Sequence, residues 1–285
     1  MAPNIKKRVL VGTPMFVALI GLFLLDSVAA QHGLGGLPPL ILGWILISIG
    51  GYEAAQLLRS SGLAADRFLI PIGAAFFMTS LLAVHMQYVS LMILSIFGVG
   101  FPAVAMIRPV LEGDLGKATA TAAASTGIVV YLGAGLGSIF ALQQDAGAIV
   151  ALMAVLAIKS CDIGAYFFGH WFGRTPLAPS VSPAKTVEGL LGGMLFSALV
   201  LILAGEAGLV TASQPQLFGV GMLLGVLGQI GDLAESVWKR AAGAKDSGSG
   251  LPGIGGVLDV LDSPMFAGPF AWWMMKGFGT ADGIG

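Results

Sequence analysis

The stretch GAIVALMAVLAIKSCDIGAYFF, residues 147–168, is apolar along most of its length, yet it carries Lys159 and Asp162. An α-helix needs about 20 mostly apolar residues to cross a bilayer, so this stretch predicts a transmembrane helix. Lys159 and Asp162 stand three positions apart, which places them on one face of that helix. Because charges at membrane depth are costly, they indicate a functional position; a mutual ion pair that only orients helices is the alternative.

Eight further apolar segments accompany this one, and together they predict an all-α polytopic membrane protein with about nine transmembrane helices. The nine segments are 9–30, 37–52, 68–84, 88–107, 118–141, 147–168, 189–205, 217–235 and 263–279. Helices are the expected spanning element, because the ten-residue alternation of outer-membrane strands is not seen in these long apolar runs. We expect interruptions at Pro102 and in the glycine run at 133, 135 and 137.

Glycine spacing within these segments favours close contact between helices. Pairs four residues apart let two backbones approach each other in a membrane protein. The pairs are Gly133 and Gly137, Gly189 and Gly193, and Gly221 and Gly225. We interpret them as packing positions rather than ligand sites.

The composition excludes several classes of protein. Residues of the set AVILMFWYC make up 56% of the chain and charged residues only 10%, whereas a soluble domain has roughly a quarter charged residues. Fourteen Lys and Arg balance fifteen Asp and Glu, so there is no basic excess that would indicate a nucleic-acid partner. The single cysteine, Cys161, excludes a disulfide scaffold.

The cations predict the orientation in the membrane. Twelve of the fourteen precede the first segment or follow the second, fourth, sixth and eighth segments, whereas the opposite loops carry none. The exceptions, Lys159 and Lys276, lie within predicted segments. By the positive-inside rule the N-terminus is cytoplasmic. We therefore expect a multi-pass protein of the cytoplasmic (inner) membrane. Residues 27–30 would also fit a signal-peptide cleavage site, but the apolar run before them is longer than usual, so we favour an uncleaved first helix.

Polar residues gather in the second half of the chain. This asymmetry predicts N-terminal transmembrane helices over 1–145 and a catalytic transmembrane region over 146–285. In the first part, Asp26, Glu53 and Asp145 lie near segment ends, where a solvated interface position is the simplest interpretation.

Two stretches of the second half have the composition of a phosphate site. Residues 174–189 combine prolines, hydroxyls and Lys185, an arrangement that can bind phosphate near a helix start, although a solvated connector looks similar. In residues 231–262 a stripe of charged side chains is followed by many glycines, whose backbone N–H groups can approach an anion closely. Carboxylates, cations and exposed N–H groups together indicate a nucleoside triphosphate with Mg²⁺. There is no Walker A pattern, so this is not a P-loop.

The segment SVWKRAAGAKDSGSGLPGIGGVLDVLDS, residues 236–263, resembles the signature of the phosphatidate cytidylyltransferases, or CDP-diacylglycerol synthases. In that family the signature reads Ser-x-x-Lys-Arg, four residues, Lys-Asp, then Pro-Gly-His-Gly-Gly and Asp-Arg-x-Asp. Residues 162–169 and 182–189 look like two further blocks of the family. The resemblance therefore covers roughly residues 159–267, and the earlier segments match only in their apolar character.

The resemblance implies an enzyme that converts CTP and phosphatidate into CDP-diacylglycerol and pyrophosphate. It implies an all-helical membrane fold, a homodimer, a cytoplasm-facing active site, and a Mg²⁺ cofactor with room for a second cation. The catalytic residues that it implies are Asp232, Asp259, Lys239 and Asp246. The implied metal ligands are Asp232, Asp259, Asp262 and Ser236. The implied substrate-binding residues are Asp162, Ser182, Lys185, Thr186, Glu188, Arg240 and Lys245.

Two positions depart from the family pattern: Ile254 stands where the family has His, and Val260 where it has Arg. Each change would remove a potential phosphate contact. Three interpretations follow: a variant enzyme with the same activity, an enzyme for another lipid phosphate or a lipid alcohol, or a protein that has lost catalysis. All the expected carboxylates are present, which favours the variant enzyme. A non-catalytic transporter is the alternative from a different class, but we see no inverted repeat.

Overall fold

A computed structural model describes residues 35–251, 253 and 255–280, together with 21, 25–26, 28–29 and 32. The secondary structure assigned to these residues comprises eight α-helices and one two-stranded sheet. In chain order they are α1 (Leu37–Ser60), α2 (Leu69–His85), α3 (Met92–Leu111), α4 (Leu115–Ala146), α5 (Ala148–Phe172), β1 (Pro176–Ala178), β2 (Ser182–Thr186), α6 (Val187–Glu206), α7 (Gln214–Ala241) and α8 (Leu258–Met275).

The helices follow the predicted segments in order, from the second to the ninth. Six of those in the described ranges are long and apolar enough to cross a membrane, namely α1, α3, α4, α5, α6 and α7. Helix α2 is apolar but shorter, with 17 residues. The first predicted segment, 9–30, lies almost wholly outside the described residues. The structure thus supports a polytopic helical membrane protein, whereas nine spans and a cytoplasmic N-terminus stay predictions.

The predicted interruptions at Pro102 and in the glycine run are wrong. Helix α3 continues through both Pro102 and Pro109. A proline removes only one backbone donor, and transmembrane helices tolerate that loss. Helix α4 likewise continues through Gly133 and Gly137, which instead serve packing. A Cβ atom on Gly133 would lie 2.9 Å from the carbonyl oxygen of Ala74 in α2.

The loop between α5 and α6 contains a β-hairpin that we did not predict. Strand β1 pairs antiparallel with β2, with Pro176 opposite Thr186 and Ala178 opposite Ser182. Thr186 then caps α6, because its Oγ1 accepts a hydrogen bond of 3.1 Å from the backbone N–H of Gly189. The connector is therefore an ordered hairpin whose residues are exposed or half-buried, and its predicted role in binding phosphate stays a prediction.

Contacts divide the described chain into two units. The first combines residues up to Gly137 with Trp238–Leu261, and the second combines Ser138–Val237 with the residues from Asp262 onward. In the first unit, Ile47, Ile70 and Met78 are fully buried. In the second, α5, α6, α7 and α8 share a continuous apolar core. Segment 236–263 therefore contributes to both units, and the functional boundary at 145 stays a prediction.

Close packing in the second unit generates a stability prediction. A Cβ atom on Gly221 of α7 would lie 2.8 Å from the backbone nitrogen of Ala198, whereas one on Gly219 of the same helix would meet nothing within 4 Å. We expect Gly221→Ala to lower the free energy of unfolding by about 1–3 kcal/mol, because the added methyl group would overlap the backbone of α6 and the two helices would have to move apart. Thermal unfolding in detergent measures this, with Gly219→Ala as the matched control. Equal unfolding midpoints for the two variants would contradict the packing described here.

Candidate active site

Three carboxylates meet in the second unit, and we call Asp232, Glu235 and Asp262 the carboxylate cluster. Each offers one oxygen, and these oxygens all lie within 4.8 Å of one another. Asp232 and Glu235 share a face of α7 because they are three positions apart. Gly231 lets α8 come close, since a Cβ atom there would lie 2.6 Å from the carbonyl oxygen of Asp262.

Two lysines donate to this cluster. The Nζ atom of Lys159 lies 3.0 Å from Oδ1 of Asp262 and 3.8 Å from Oδ2 of Asp162. Lys185, on β2, forms an ion pair with Asp232. The predicted pair of Lys159 and Asp162 is therefore part of a larger network. These six groups, four carboxylates and two ammonium ions, carry a formal excess of negative charge.

The cluster has the chemistry of a site for a hard divalent cation. Glu235 is 0% exposed and Asp262 is 5% exposed, and buried carboxylates require a positive partner or N–H donors. Mg²⁺ binds oxygen ligands at about 2.0–2.1 Å, so ligands on opposite sides of the ion are about 4 Å apart. The observed spacing of the oxygens is compatible with that geometry after small side-chain movements.

Glu235 is a candidate ligand that the sequence reasoning did not select. It was visible in the charged stripe of α7, three residues after Asp232, and that spacing was the available signal. Ser236, the predicted ligand next to it, is 9% exposed. The assignment of Ser236 as a ligand stays a prediction.

Asp259, the other predicted metal ligand, lies in the first unit and is bound by protein donors. Its Oδ1 accepts a hydrogen bond of 2.6 Å from Lys239, and its Oδ2 accepts from the backbone N–H groups of Ser247 and Gly256 at 2.9 and 2.7 Å. Burial alone would raise the pKa of Asp259, but Lys239 and these donors hold the pKa below its usual value. The predicted roles of Asp259 and Lys239 in catalysis stay predictions.

The two residues that bound the glycine-rich segment, residues 247–256, direct their backbone N–H groups to a carboxylate of the protein itself. Both donate to Asp259, as described above. Just beyond the segment, the N–H groups of Val257 and Leu258 donate to Glu53 of α1, at 3.1 and 2.8 Å. The interpretation of Glu53 as a solvated interface residue is wrong, because its side chain is only 7% exposed.

Three further predicted site residues bind neighbouring parts of the chain. Thr186, at the end of β2, is a helix cap. Glu188, in the first turn of α6, accepts hydrogen bonds from the backbone N–H groups of Arg174 and Thr175 at 3.0 and 3.2 Å, so both residues support the fold around Lys185. After α7, Arg240 donates to the carbonyl oxygen of Ala244 at 3.1 Å.

For the other predicted site residues, the structure gives the position in the fold or the exposure. Ser182 starts β2, Lys245 and Asp246 are exposed, and Val260 is half-buried. Ile254, where the family has His, lies outside the described residues. For these residues the predicted binding and catalytic roles stay predictions.

Comparison with known proteins supports the resemblance seen in the sequence. Residues 6–278 match the model of the cytidylyltransferase family. A Synechocystis protein named phosphatidate cytidylyltransferase is 43% identical over 131 residues, which is 45% of this chain and 44% of that protein. Proteins of the same name are 42% identical over 141 residues in Staphylococcus haemolyticus (50% and 54% of the two chains) and 39% identical over 137 residues in Helicobacter pylori (48% and 51%).

The chain spans about half the length of these curated relatives in the aligned regions. The family model, in contrast, extends over nearly all of the sequence, including the helices before the signature. On that match, the chain belongs to the cytidylyltransferase family.

Proposed function

We propose that the protein transfers the cytidylyl group of CTP to phosphatidate, forming CDP-diacylglycerol and pyrophosphate. The observation that carries this proposal is the carboxylate cluster with its two lysines, Lys159 and Lys185, in a chain of the cytidylyltransferase family. The names of the relatives supply the substrate class. We interpret the departures from the family pattern at Ile254 and Val260 as those of a variant enzyme that keeps this activity.

The reaction requires charge neutralisation more than acid–base catalysis. A phosphate oxygen of phosphatidate attacks the α-phosphorus of CTP, the new P–O bond forms, and the bond to the β-phosphate breaks to release pyrophosphate. The attacking oxygen is already anionic near neutral pH, so no side chain has to remove a proton from it. Two anionic substrates repel each other, and positively charged groups must hold them in line.

Residues of the second unit are suited to this task. Lys185 is held by the hairpin, and its ammonium group can exchange Asp232 for a phosphate oxygen when a substrate arrives. Lys159 is fixed by Asp162 and Asp262, and it keeps positive charge beside the carboxylate cluster. Asp232, Glu235 and Asp262 would hold Mg²⁺, which when bound would neutralise phosphate charge.

The location of the active site in the membrane is also proposed. We expect the active site to face the cytoplasm at the cytoplasmic membrane, and we expect the chain to cross this membrane nine times with its N-terminus in the cytoplasm. One substrate is a membrane lipid and the other is a soluble nucleotide, so an interfacial site gives both access. The basic loops after the even-numbered segments support this orientation. A homodimer and a second cation rest on the resemblance alone.

Labelled CTP incorporated into lipid by the detergent-purified full chain tests this function. We expect a CDP-lipid product that depends on both phosphatidate and Mg²⁺. Product formed only with another lipid phosphate or a lipid alcohol would overturn phosphatidate as the substrate. No product with any lipid, from protein with intact helical circular dichroism, would overturn the enzyme.

We expect Asp232→Asn to reduce turnover by at least about a hundredfold, because the variant removes a charge from the carboxylate cluster and the partner of Lys185. Initial rates with labelled CTP measure the loss. Asp114→Asn is the control, since the Asp114 side chain is 41% exposed and pairs with Lys117. Turnover of Asp232→Asn within threefold of that of the control would contradict a role for the cluster.

Glu235→Gln should raise the Mg²⁺ concentration needed for half-maximal turnover by about tenfold or more, since a neutral amide binds a hard cation less well than a carboxylate does. The assay is a Mg²⁺ titration of initial rates at saturating CTP. Binding of Mn²⁺ to the substrate-free protein, followed by electron paramagnetic resonance, gives a second readout. If both titrations match those of the wild type, Glu235 is not a ligand.

A further inference from the structure

We propose that Glu53, on α1, is a positioning residue for this reaction: its carboxylate lies at the N-terminus of α8 and holds in place Ser247 of the glycine-rich segment and Asp259 in the first turn of α8. The proposal rests on the function proposed above. Its basis is a set of contacts within the first unit that join residues about 200 positions apart in the chain, since Glu53 reaches Ser247 and Leu258 across separations of 194 and 205.

The Glu53 carboxylate satisfies the first backbone donors of α8. Its Oε1 accepts from Val257 N–H at 3.1 Å, and its Oε2 accepts from Leu258 N–H at 2.8 Å. Such donors have no partner inside their own helix, and the positive end of the helix dipole favours an anion there. The Glu53 carboxylate therefore fills the anion-binding position at the N-terminus of α8.

Two glycines of the segment leave room for this carboxylate. A Cβ atom on Gly248 would lie 2.5 Å from Oε1 of Glu53, and its three nearest neighbours would all be atoms of that side chain. A Cβ atom on Gly256 would collide with both Glu53 and Ser247. The glycines at 248 and 256 are thus explained by the close approach of Glu53.

Ser247 connects Glu53 to the predicted catalytic residues. Its hydroxyl lies 3.2 Å from Oε2 of Glu53 and 2.8 Å from Oδ2 of Asp259. Asp259 in turn accepts the hydrogen bond of 2.6 Å from Lys239. Glu53 itself is buried, so it acts on Asp259 and Lys239 through Ser247 and through the start of α8.

Loss of the Glu53 acceptor oxygens should therefore displace the side chains of Ser247, Asp259 and Lys239 without removing any of them. In Glu53→Gln an amide NH₂ replaces one acceptor oxygen and faces backbone N–H donors. The first turn of α8 would loosen, and Asp259 lies in that turn. A displacement of about 1 Å at a reacting group can cost up to about a hundredfold in rate.

The first experiment compares hydrogen exchange and kinetics of the full chain in detergent. For Glu53→Gln we expect peptides covering Val257 and Leu258 to exchange roughly tenfold faster, with exchange in α2 unchanged. We expect kcat to fall about tenfold to a hundredfold with the KM for CTP within threefold. Glu112→Gln, an exposed carboxylate paired with Arg108, is the matched control.

Unchanged exchange at Val257 and Leu258 would overturn the contact, and faster exchange with unchanged kcat would overturn the positioning role. The exchange readout needs no turnover, so a failure of the proposed cytidylyl transfer would be seen separately in the wild-type assay.

A second variant covers the case in which Glu53→Gln does not fold. Gly248→Ala keeps Glu53 but displaces its carboxylate, so it should reproduce the faster exchange and the lower kcat. Hydrogen exchange at Val257 and Leu258 and a kcat equal to those of the wild type in Gly248→Ala would contradict the proposal.

Discussion

Carboxylates buried inside an apolar helical protein have to be paired with cations or N–H donors, and this requirement organises both units. In the first unit, Glu53 and Asp259 are held by backbone N–H groups and Lys239. In the second, Asp232 and Asp262 are paired with Lys185 and Lys159. The two units therefore use different donors, and only the second brings three carboxylates within 4.8 Å of one another among the described residues.

Glycine makes these pairings geometrically feasible. Gly231 lets the backbone of α8 approach the carboxylate cluster, and Gly248 and Gly256 leave space for the Glu53 side chain. In each case a Cβ atom would collide with an acid-bearing segment or with the acid itself. The 43 glycines of the chain thus include positions that serve charge pairing as well as helix packing.

The sequence predicted the features that depend on local pattern. Apolar runs located eight helices in the correct order, since hydropathy and length determine which segments can lie in a membrane. Charges within an apolar segment identified Lys159 and Asp162, because such charges are rare without a function, and the signature of residues 236–263 with its upstream blocks directed attention to Asp232 and Asp262. Pro102 misled us, because a proline loses only one hydrogen bond in a helix whose other bonds remain.

Features that depend on tertiary contact could not be predicted. Lys159 was matched to Asp162 by spacing, yet its Nζ atom lies closer to Asp262, 103 residues away. Glu53 looked like an interface residue because its partners lie about 200 positions further along the chain. No periodic pattern in the sequence encodes such a pairing, so it becomes visible only in the folded structure.

The proposed binding of a divalent cation by Asp232, Glu235 and Asp262 can be tested by anomalous diffraction from crystals of the full chain grown with Mn²⁺. We expect an anomalous peak at coordination distance from oxygens of all three carboxylates. A Mn²⁺ ion bound at other residues, with none at these three, would contradict it.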